Sequence, residues 1–162
     1  GSLTIDNCLF QGNIAQNISG FEFVECFGAT GLVTNTIFDG HFATQSSTAR
    51  IVKCDMVMKN VTFRNNSALE HSAGIVVANG TLHLEDSIME NQGAEGIIPF
   101  LFLGLEGAVV IKKSIFQNSR GKHGLFAVGS RAVKLEDSKF LDCQGGAIFA
   151  SFTTEVTVEK SN

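Results

Sequence analysis

The sequence predicts an all-β fold, a right-handed parallel β-helix of six coils with a seventh beginning. Three observations predict it: an internal repeat of about 26 residues, short runs in which apolar and polar residues alternate, and a composition typical of strands and turns. The 162 residues include 17 glycines, 14 phenylalanines and one proline. Charged residues make up 17% and the net charge is −4, which argues against a nucleic-acid-binding protein, because such proteins carry clustered positive charge.

One large apolar residue anchors each repeat. The anchors lie 24 to 28 residues apart and end octapeptides of one pattern, such as Val133-Lys-Leu-Glu-Asp-Ser-Lys-Phe140. They are Phe10, Phe38, Phe63, Met89, Phe116 and Phe140. Residues 156–161 begin a seventh unit that has no anchor. A β-sandwich would not keep one register through six units, and the leucine-rich repeat pattern is missing.

The first strand of each unit alternates apolar and polar residues, as Val133 and Leu135 show. The alternation then changes phase, which requires a bend. The bend falls on residues that suit tight turns. These are Asn7, Asn35, Asn60, Asp86 and Asp137.

The second strand carries the anchor and ends at a second turn. Its residues tolerate a left-handed backbone; they are Gly12, Gly40, Asn65, Asn91, Asn118 and Asp142. A third apolar strand is predicted at residues 21–24, 51–52, 74–77, 96–98, 124–127 and 146–149. Three short strands per coil, stacked about 4.8 Å from those of the next coil, give a solenoid about 30 Å long with the anchors in one internal file.

Charged residues form two columns that support this register. The column four residues before the anchor reads Asp6, Thr34, Lys59, Glu85, Lys112, Glu136 and Glu159. The next column reads Asn7, Asn35, Asn60, Asp86, Lys113, Asp137 and Lys160. Signs alternate along much of both columns, and stacked opposite charges stabilise neighbouring strands by about 0.2–1 kcal/mol per pair.

Three short motifs resemble a known repeat family. Phe10-Gln-Gly-Asn13, Phe63-Arg-Asn-Asn66 and Gly145-Gly-Ala-Ile148 are similar to the FxxN and GGA[ILV] tetrapeptides of chlamydial polymorphic outer-membrane protein (Pmp) repeats. The resemblance implies a β-helical adhesin or passenger segment that is secreted or exposed at the cell surface. The wider pectate-lyase-like superfamily of right-handed β-helices also contains polysaccharide lyases, hydrolases and epimerases, which keeps an enzyme as the alternative.

The acidic residues are interpreted as structural. A glycosidase needs two carboxylates beside one bond, and a lyase often holds Ca²⁺ with several. Glu85 and Glu136 lie two coils apart with Lys112 between them, so we expect a neutralised ladder and no catalytic residues. The histidines have no metal-ligand spacing, so we expect no metal and no cofactor.

The four cysteines fall into two groups. Cys8 takes the small inward position held by serine in later units, Cys143 follows the second turn, and we expect both to be buried. Cys26 and Cys54 end the third strands of the first two coils and lie one coil apart. Stacked strands bring their Cα atoms into disulfide range, so Cys26 and Cys54 are candidates for a disulfide, and two stacked thiols are the alternative.

Four N-glycosylation sequons begin at Asn17, Asn60, Asn65 and Asn79. Asn60 and Asn65 occupy turn positions, where we expect stacked amides. Asn17 and Asn79 fall in loops and are the candidates for modification if the source secretes the chain through an endoplasmic reticulum.

The longest apolar run, residues 96–105, has ten residues and includes Pro99, so it is too short for a transmembrane helix. If it loops outward, it exposes Phe100, Leu101, Phe102 and Leu103 as candidates for partner contact. The alternative is a third strand whose alternate residues fill the core, or a flap over the next coil. Loops at 14–19, 42–48 and 67–72 are longer than later ones and would form one side of the first coils.

We therefore expect a non-catalytic surface or secreted β-helical segment that presents loops to a protein or glycan. A polysaccharide-acting enzyme is the first alternative and a structural spacer in a large assembly is the second. Gly1-Ser2 is typical of a cloning scar, and residues 3–162 read as one β-helix segment cut from a longer protein. The predicted location is extracellular or at the cell surface. Open strand edges predict end-to-end association of the isolated segment.

Overall fold

The chain winds as a parallel β-helix in a computed structural model that describes residues 2–18, 20–26, 28–45, 48–70, 72–94 and 100–162. The described residues form strands and turns, with no helix among them. Three sheets run along the solenoid, and all their strand pairs are parallel. This is the predicted fold class, with six coils and the first strand of a seventh.

The first sheet holds the strand that begins each coil. Its members are β1 (Thr4–Asp6), β5 (Thr30–Thr34), β9 (Asp55–Lys59), β13 (Thr81–Glu85), β17 (Ala108–Lys112), β20 (Ala132–Glu136) and β23 (Glu155–Glu159). The second sheet holds the anchors. Its members are β2 (Leu9–Gln11), β6 (Ile37–Asp39), β10 (Thr62–Arg64), β14 (Ile88–Glu90), β18 (Ile115–Gln117) and β21 (Lys139–Leu141).

The third sheet departs from the predicted three strands per coil. Its members are β3 (Ile14–Ala15), β4 (Phe21–Val24), β7 (Phe42–Ala43), β8 (Ala49–Val52), β11 (Ser67–Ala68), β12 (Ile75–Ala78), β15 (Gly93–Ala94), β16 (Leu101–Leu103), β19 (Arg120–Val128) and β22 (Gln144–Ser151). Coils one to four each contribute two short strands, whereas coils five and six contribute one long strand. In coils one to four, five or six residues separate the two short strands, which is more than one straight edge can hold.

The third strand of coil four also differs from its predicted place. The strand that pairs with β12 and β19 is Leu101–Leu103. The predicted strand at residues 96–98 lies outside the described residues.

Three corners separate the sheets, and each is formed by a residue with positive φ. The first corner is formed by Asn7, Asn35, Asn60, Asp86, Lys113, Asp137 and Lys160. The second is formed by Gly12, Gly40, Asn65, Asn91, Asn118 and Asp142. Both sets contain all the predicted turn residues, and the first also contains Lys113 and Lys160, which the sequence predicts only as members of a charged column. The third, which the sequence did not reveal, is formed by Glu25, Lys53, Asn79, Glu106, Gly129 and Phe152.

The anchors form the predicted internal file. The rings of Phe38 and Phe63 lie 5.1 Å apart with planes 10° from parallel, and those of Phe116 and Phe140 lie 4.7 Å apart. Met89 continues the file between the two groups, in register with Phe63 and Phe116. Side chains of this kind stabilise the fold by about 1.5–3 kcal/mol each when they leave water.

A column of hydroxyl side chains lies two residues before the anchors. Ser114 Oγ accepts the backbone N–H of Ser87 at 3.2 Å and donates to the carbonyl of Lys112 at 2.8 Å. Ser138 repeats both bonds one coil later. Each hydroxyl therefore satisfies buried backbone groups at the first corner, which explains why a small polar residue recurs there.

Candidate functional site

The segment expected as a contact patch lies mainly in the core. Phe100, Leu101 and Leu103 are fully buried. Strand alternation turns Leu101 and Leu103 inward, and the ring of Phe100 packs 5.2 Å from that of Phe116. An exposed patch of four residues is therefore wrong, and a core-filling third strand describes the segment. Phe102 alone among the four faces outward, and it is half-buried.

A disulfide joins Cys26 to Cys54, with their Cα atoms 5.2 Å apart. This is the candidate pairing that the one-coil spacing allows, and it ties coil one to coil two beside the third corner. Cys8 and Cys143 are free thiols. Cys8 is exposed, so its predicted burial is wrong, because it lies in the first coil and has a neighbouring coil on one side. Cys143 is half-buried, and that burial raises the pKa of its thiol.

The four sequon asparagines separate as expected. Asn60 Nδ2 donates to Asn35 Oδ1 at 2.8 Å, and Asn65 Nδ2 donates to Asp39 Oδ1 at 2.9 Å. Both amides are thus engaged in stacked ladders. Asn17 and Asn79 are exposed, and their glycosylation stays a prediction.

The charged columns pair as a ladder. Lys59 Nζ lies 3.4 Å from Glu85 Oε2, and Lys112 Nζ lies 2.8 Å from Glu136 Oε2. The hydrogen bond between Lys112 and Glu136 raises the pKa of the lysine and lowers that of the glutamate. These carboxylates are therefore neutralised by their neighbours, as the structural interpretation predicts.

Polar side chains at the second corner form a compact cluster. Asn65 Nδ2 and Arg64 Nη2 donate to the two carboxylate oxygens of Asp39, the latter at 3.0 Å. The hydrogen bond from Asn65 has the largest effect, and together with that from Arg64 it holds the pKa of the Asp39 carboxyl below its usual value. His41 is buried nearby, and its Nδ1 accepts the backbone N–H of Asn13 at 3.3 Å. Burial lowers the pKa of His41.

Three large apolar side chains are exposed on, or directly after, the short strands β3, β7 and β11, which precede the long connections of the first three coils. Ile14 is in register with Phe42, and the backbone N–H of Leu69 donates to the carbonyl of Ala43. Ile14 is 80% exposed, Phe42 37% and Leu69 41%. We call the surface formed by these three side chains the loop face. Clustered exposed apolar residues are typical of interaction sites.

A polar groove of about 360 Å³ lies along the third corner, where the third sheet meets the first. We call it the corner groove. Its lining residues come from coils one to five, and most are polar or small. They are Gly28, Ala29, Lys53, Cys54, Asp55, Asn79, Gly80, Thr81, Glu106 and Arg131.

Hydrogen bonds fix several groups of the corner groove. Arg131 Nε donates to the carbonyl of Glu106 at 2.9 Å, and Arg131 Nη2 donates to Thr81 Oγ1 at 3.2 Å. Asp55 Oδ1 accepts the backbone N–H of Thr81 at 3.0 Å. Lys53 Nζ pairs with Glu25 Oε1 at 3.2 Å. The groove therefore offers positioned donors and acceptors of both charges to a polar ligand.

The floor of the corner groove depends on glycine. A Cβ at Gly80 would lie 2.0 Å from the carbonyl oxygen of Cys54. The disulfide holds Cys54, so the covalent bond and the close backbone approach support the same part of the groove.

The corner groove cannot be recognised in the sequence by residue type, because the third-corner residues share no chemical type. A positional signal does exist. Lys53, Asn79 and Glu106 each stand two residues before the first strand of the following coil.

Among the described residues, no group of three or more His, Cys, Asp or Glu side chains could hold a metal ion. The same part of the chain has no helix of the length and apolarity that a membrane crossing requires.

Comparison with known proteins gives no relative: the chain matches no protein-family model, no curated protein and no solved structure.

Proposed function

We propose that the chain is a non-catalytic β-helical segment of a surface or secreted protein, and that it binds a partner through the loop face. The observation that carries this proposal is the exposure of Ile14, Phe42 and Leu69 on the side where the long connections emerge. Stacked coils hold these side chains at fixed spacing, so a partner meets a preorganised apolar surface.

The disulfide supports an extracellular location. Disulfides form and persist in oxidising environments, and Cys26 and Cys54 are joined here. The Pmp-type resemblance implies the same location.

Photo-crosslinking in the full-length protein on its native cells tests the proposal. A benzoylphenylalanine replaces Phe42, and a matched control replaces Leu32 on the outer side of the first sheet, which is exposed to a similar extent. We expect a discrete adduct from position 42 that Leu69→Asp abolishes. Equal adducts from both positions, or none from position 42, would contradict the proposal and favour a structural spacer.

A polysaccharide-acting enzyme is the second candidate, and the corner groove is the observation that favours it. The groove contains two carboxylates, from Asp55 and Glu106, together with Lys53 and Arg131. Carboxylates and cations that line one groove can serve acid–base chemistry on an acidic or neutral glycan. Incubation with polygalacturonate, xylan and chitin would release shortened products, and Asp55→Asn with Glu106→Gln would stop the release. Unchanged polymers would exclude these three substrates.

A further inference from the structure

Aromatic side chains form a second stack on the outside of the third sheet. The rings of Phe102 and Phe126 lie 6.0 Å apart, and those of Phe126 and Phe149 lie 4.7 Å apart with planes 10° from parallel. The imidazole of His123 lies 5.0 Å from the Phe149 ring. These four side chains belong to β16, β19 and β22, and we call the surface that they form the aromatic face. It lies on coils four to six, whereas the loop face lies on coils one to three.

A β-bulge shapes this face. The register of β19 and β22 shifts between Arg120 and His123. A Cβ on Gly146 would lie 3.3 Å from His123 Nδ1, so the absence of a side chain lets the imidazole lie across β22. Bulges commonly redirect side chains next to functional surfaces.

The aromatic face is bordered by positive charge. Arg120 and Lys122 are exposed on β19, and β16, β19 and β22 contain no Asp or Glu in their sequences. The ion pairs among the described residues engage other cations, which are Arg50, Lys53, Lys59, Arg64, Lys112 and Lys134. A chain of net charge −4 therefore carries a local cationic and aromatic surface.

We propose that the aromatic face docks an extended acidic peptide segment that also carries apolar side chains. Arg120 and Lys122 are both exposed and two residues apart on β19, so their Cα atoms are at most about 7 Å apart, which is within reach of alternate side chains of an extended peptide. Two carboxylates at that spacing pair with the cations. Apolar side chains further along the peptide pack on the edges of Phe126 and Phe149, so charge sets the orientation and the rings supply apolar contact.

Fluorescence anisotropy of a labelled probe peptide, Glu-Thr-Glu-Thr-Thr-Val-Phe-Val, tests the proposal with the intact chain. The charge-reversal variant is Arg120→Glu with Lys122→Glu, and the matched control is Lys113→Glu with Lys139→Glu on other sides of the solenoid. Phe149→Ser removes an exposed ring. Circular dichroism melting confirms that each variant folds. Leu69→Asp tests whether binding of the probe peptide is independent of the loop face.

We expect charge reversal to weaken binding at least about tenfold, because two attractive pairs become repulsive. Phe149→Ser should also weaken binding, while the control and Leu69→Asp leave it within about twofold, as expected for charges and contacts outside the site. The proposal is overturned if the probe does not bind, or if the control loses as much affinity. It is equally overturned if a peptide with Thr in place of Val and Phe binds as well. Tighter binding of a heparin fragment or a phosphatidylserine vesicle to the same residues would also overturn the proposal, and it would identify that ligand class as the occupant of the aromatic face.

Discussion

At the scale of single residues, the asparagine of the Phe-x-x-Asn tetrapeptide has a defined structural role. Asn66 is buried, its Oδ1 accepts the backbone N–H of His41 at 2.9 Å, and its Nδ2 donates to the carbonyl of Phe38 at 3.2 Å. The amide therefore satisfies two backbone groups of the preceding coil, which would otherwise be buried without partners. The asparagine of this tetrapeptide therefore serves coil stacking, and residues that bind a partner must lie outside the motif.

The glycine pair of the other tetrapeptide gives a first prediction. Gly145 has φ +93°, and a Cβ there would lie 2.3 Å from the carbonyl oxygen of Lys122. Gly145→Ala should lower the free energy of unfolding by about 2–3 kcal/mol. Gly93→Ala is the control, because its Cβ would meet Ser67 at an ordinary 3.6 Å. Urea unfolding followed by circular dichroism measures both, and equal losses would refute the steric argument.

His41 gives a second prediction, on pH. Its pKa is lowered in the folded state from an ordinary value of 6.5, so the unfolded chain takes up the proton first as pH falls. Stability contributed by neutral His41 should therefore be complete above about pH 7 and decline below about pH 6.5. Asp39 does not affect how stability depends on pH in this range. The pKa of its carboxyl is lowered in the folded state, so the stability that it contributes is lost only when the pH falls below the ordinary value of 3.8.

His41→Asn is the matched variant for that test. Asn66 occupies the same position one coil later, and its carboxamide oxygen accepts a backbone N–H from the preceding coil. An asparagine at position 41 can thus accept the N–H of Asn13 without titrating. Thermal melts at pH 7 and pH 5 should show a smaller difference for the variant than for the parent chain. If the variant and the parent chain show the same difference between the two pH values, groups other than His41 cause the pH dependence.

At the scale of strands and corners, the sequence carries most of the information about the fold. The first and second corners are five residues apart in every complete coil, and apart from Lys113 they are Asn, Asp or Gly, which identifies them in the sequence. The third corner uses Glu, Lys, Asn, Gly and Phe, so it could not be recognised by residue type. The corner groove lies there, which is why that candidate site was missed while the first two sheets were predicted.

The apolar segment shows a second limit of sequence reasoning. Leu101 and Leu103 alternate with Phe102, and both an exposed loop and a core strand fit that pattern. Pairing with β12 and β19 decides between them. Such partners are distant in the chain, so local periodicity does not reveal them.

The internal file gives a third prediction. Phe63 is fully buried and stacks on Phe38. Phe63→Ala should lower the free energy of unfolding by about 3–5 kcal/mol, because it removes the ring and leaves a cavity. Phe63→Met should cost less than about 1.5 kcal/mol, since Met89 already fills the same position in the next coil. Denaturant titration measures the free energy of unfolding of both variants, and similar losses would contradict the internal file of anchors.

At the scale of the whole molecule, the disulfide is the covalent link between coils. The Cys26–Cys54 bond closes a loop of 28 residues. Replacing both cysteines with alanine should lower the free energy of unfolding by about 3–4 kcal/mol through the entropy of the unfolded chain. Reductant should lower the melting temperature of the parent chain and leave the variant unchanged. An intact mass that does not rise by two hydrogens on reduction would refute the bond itself.

The end strands give a fifth prediction. In the isolated chain, β1 and β23 each have one neighbour in the first sheet. The inward side chains of β23, Val156 and Val158, are about half exposed. Open parallel edges of this kind favour pairing, so sedimentation velocity should show association that grows with concentration. Val158→Lys places a charge at that end and should abolish it, whereas a parent chain that stays monomeric at high concentration would contradict the prediction.

The unequal coil lengths have a practical consequence. The distance from the second corner to the third varies most, from 10 to 15 residues; that from the third to the next first corner varies from 7 to 10, and that from the first to the second never changes. The winding therefore tolerates added length in one interval of each turn without disturbing the stacked backbone. A foreign epitope grafted into that interval should be displayed outward on a rigid rod. Grafts in successive turns would form a row in which neighbours are separated by the rise of one turn.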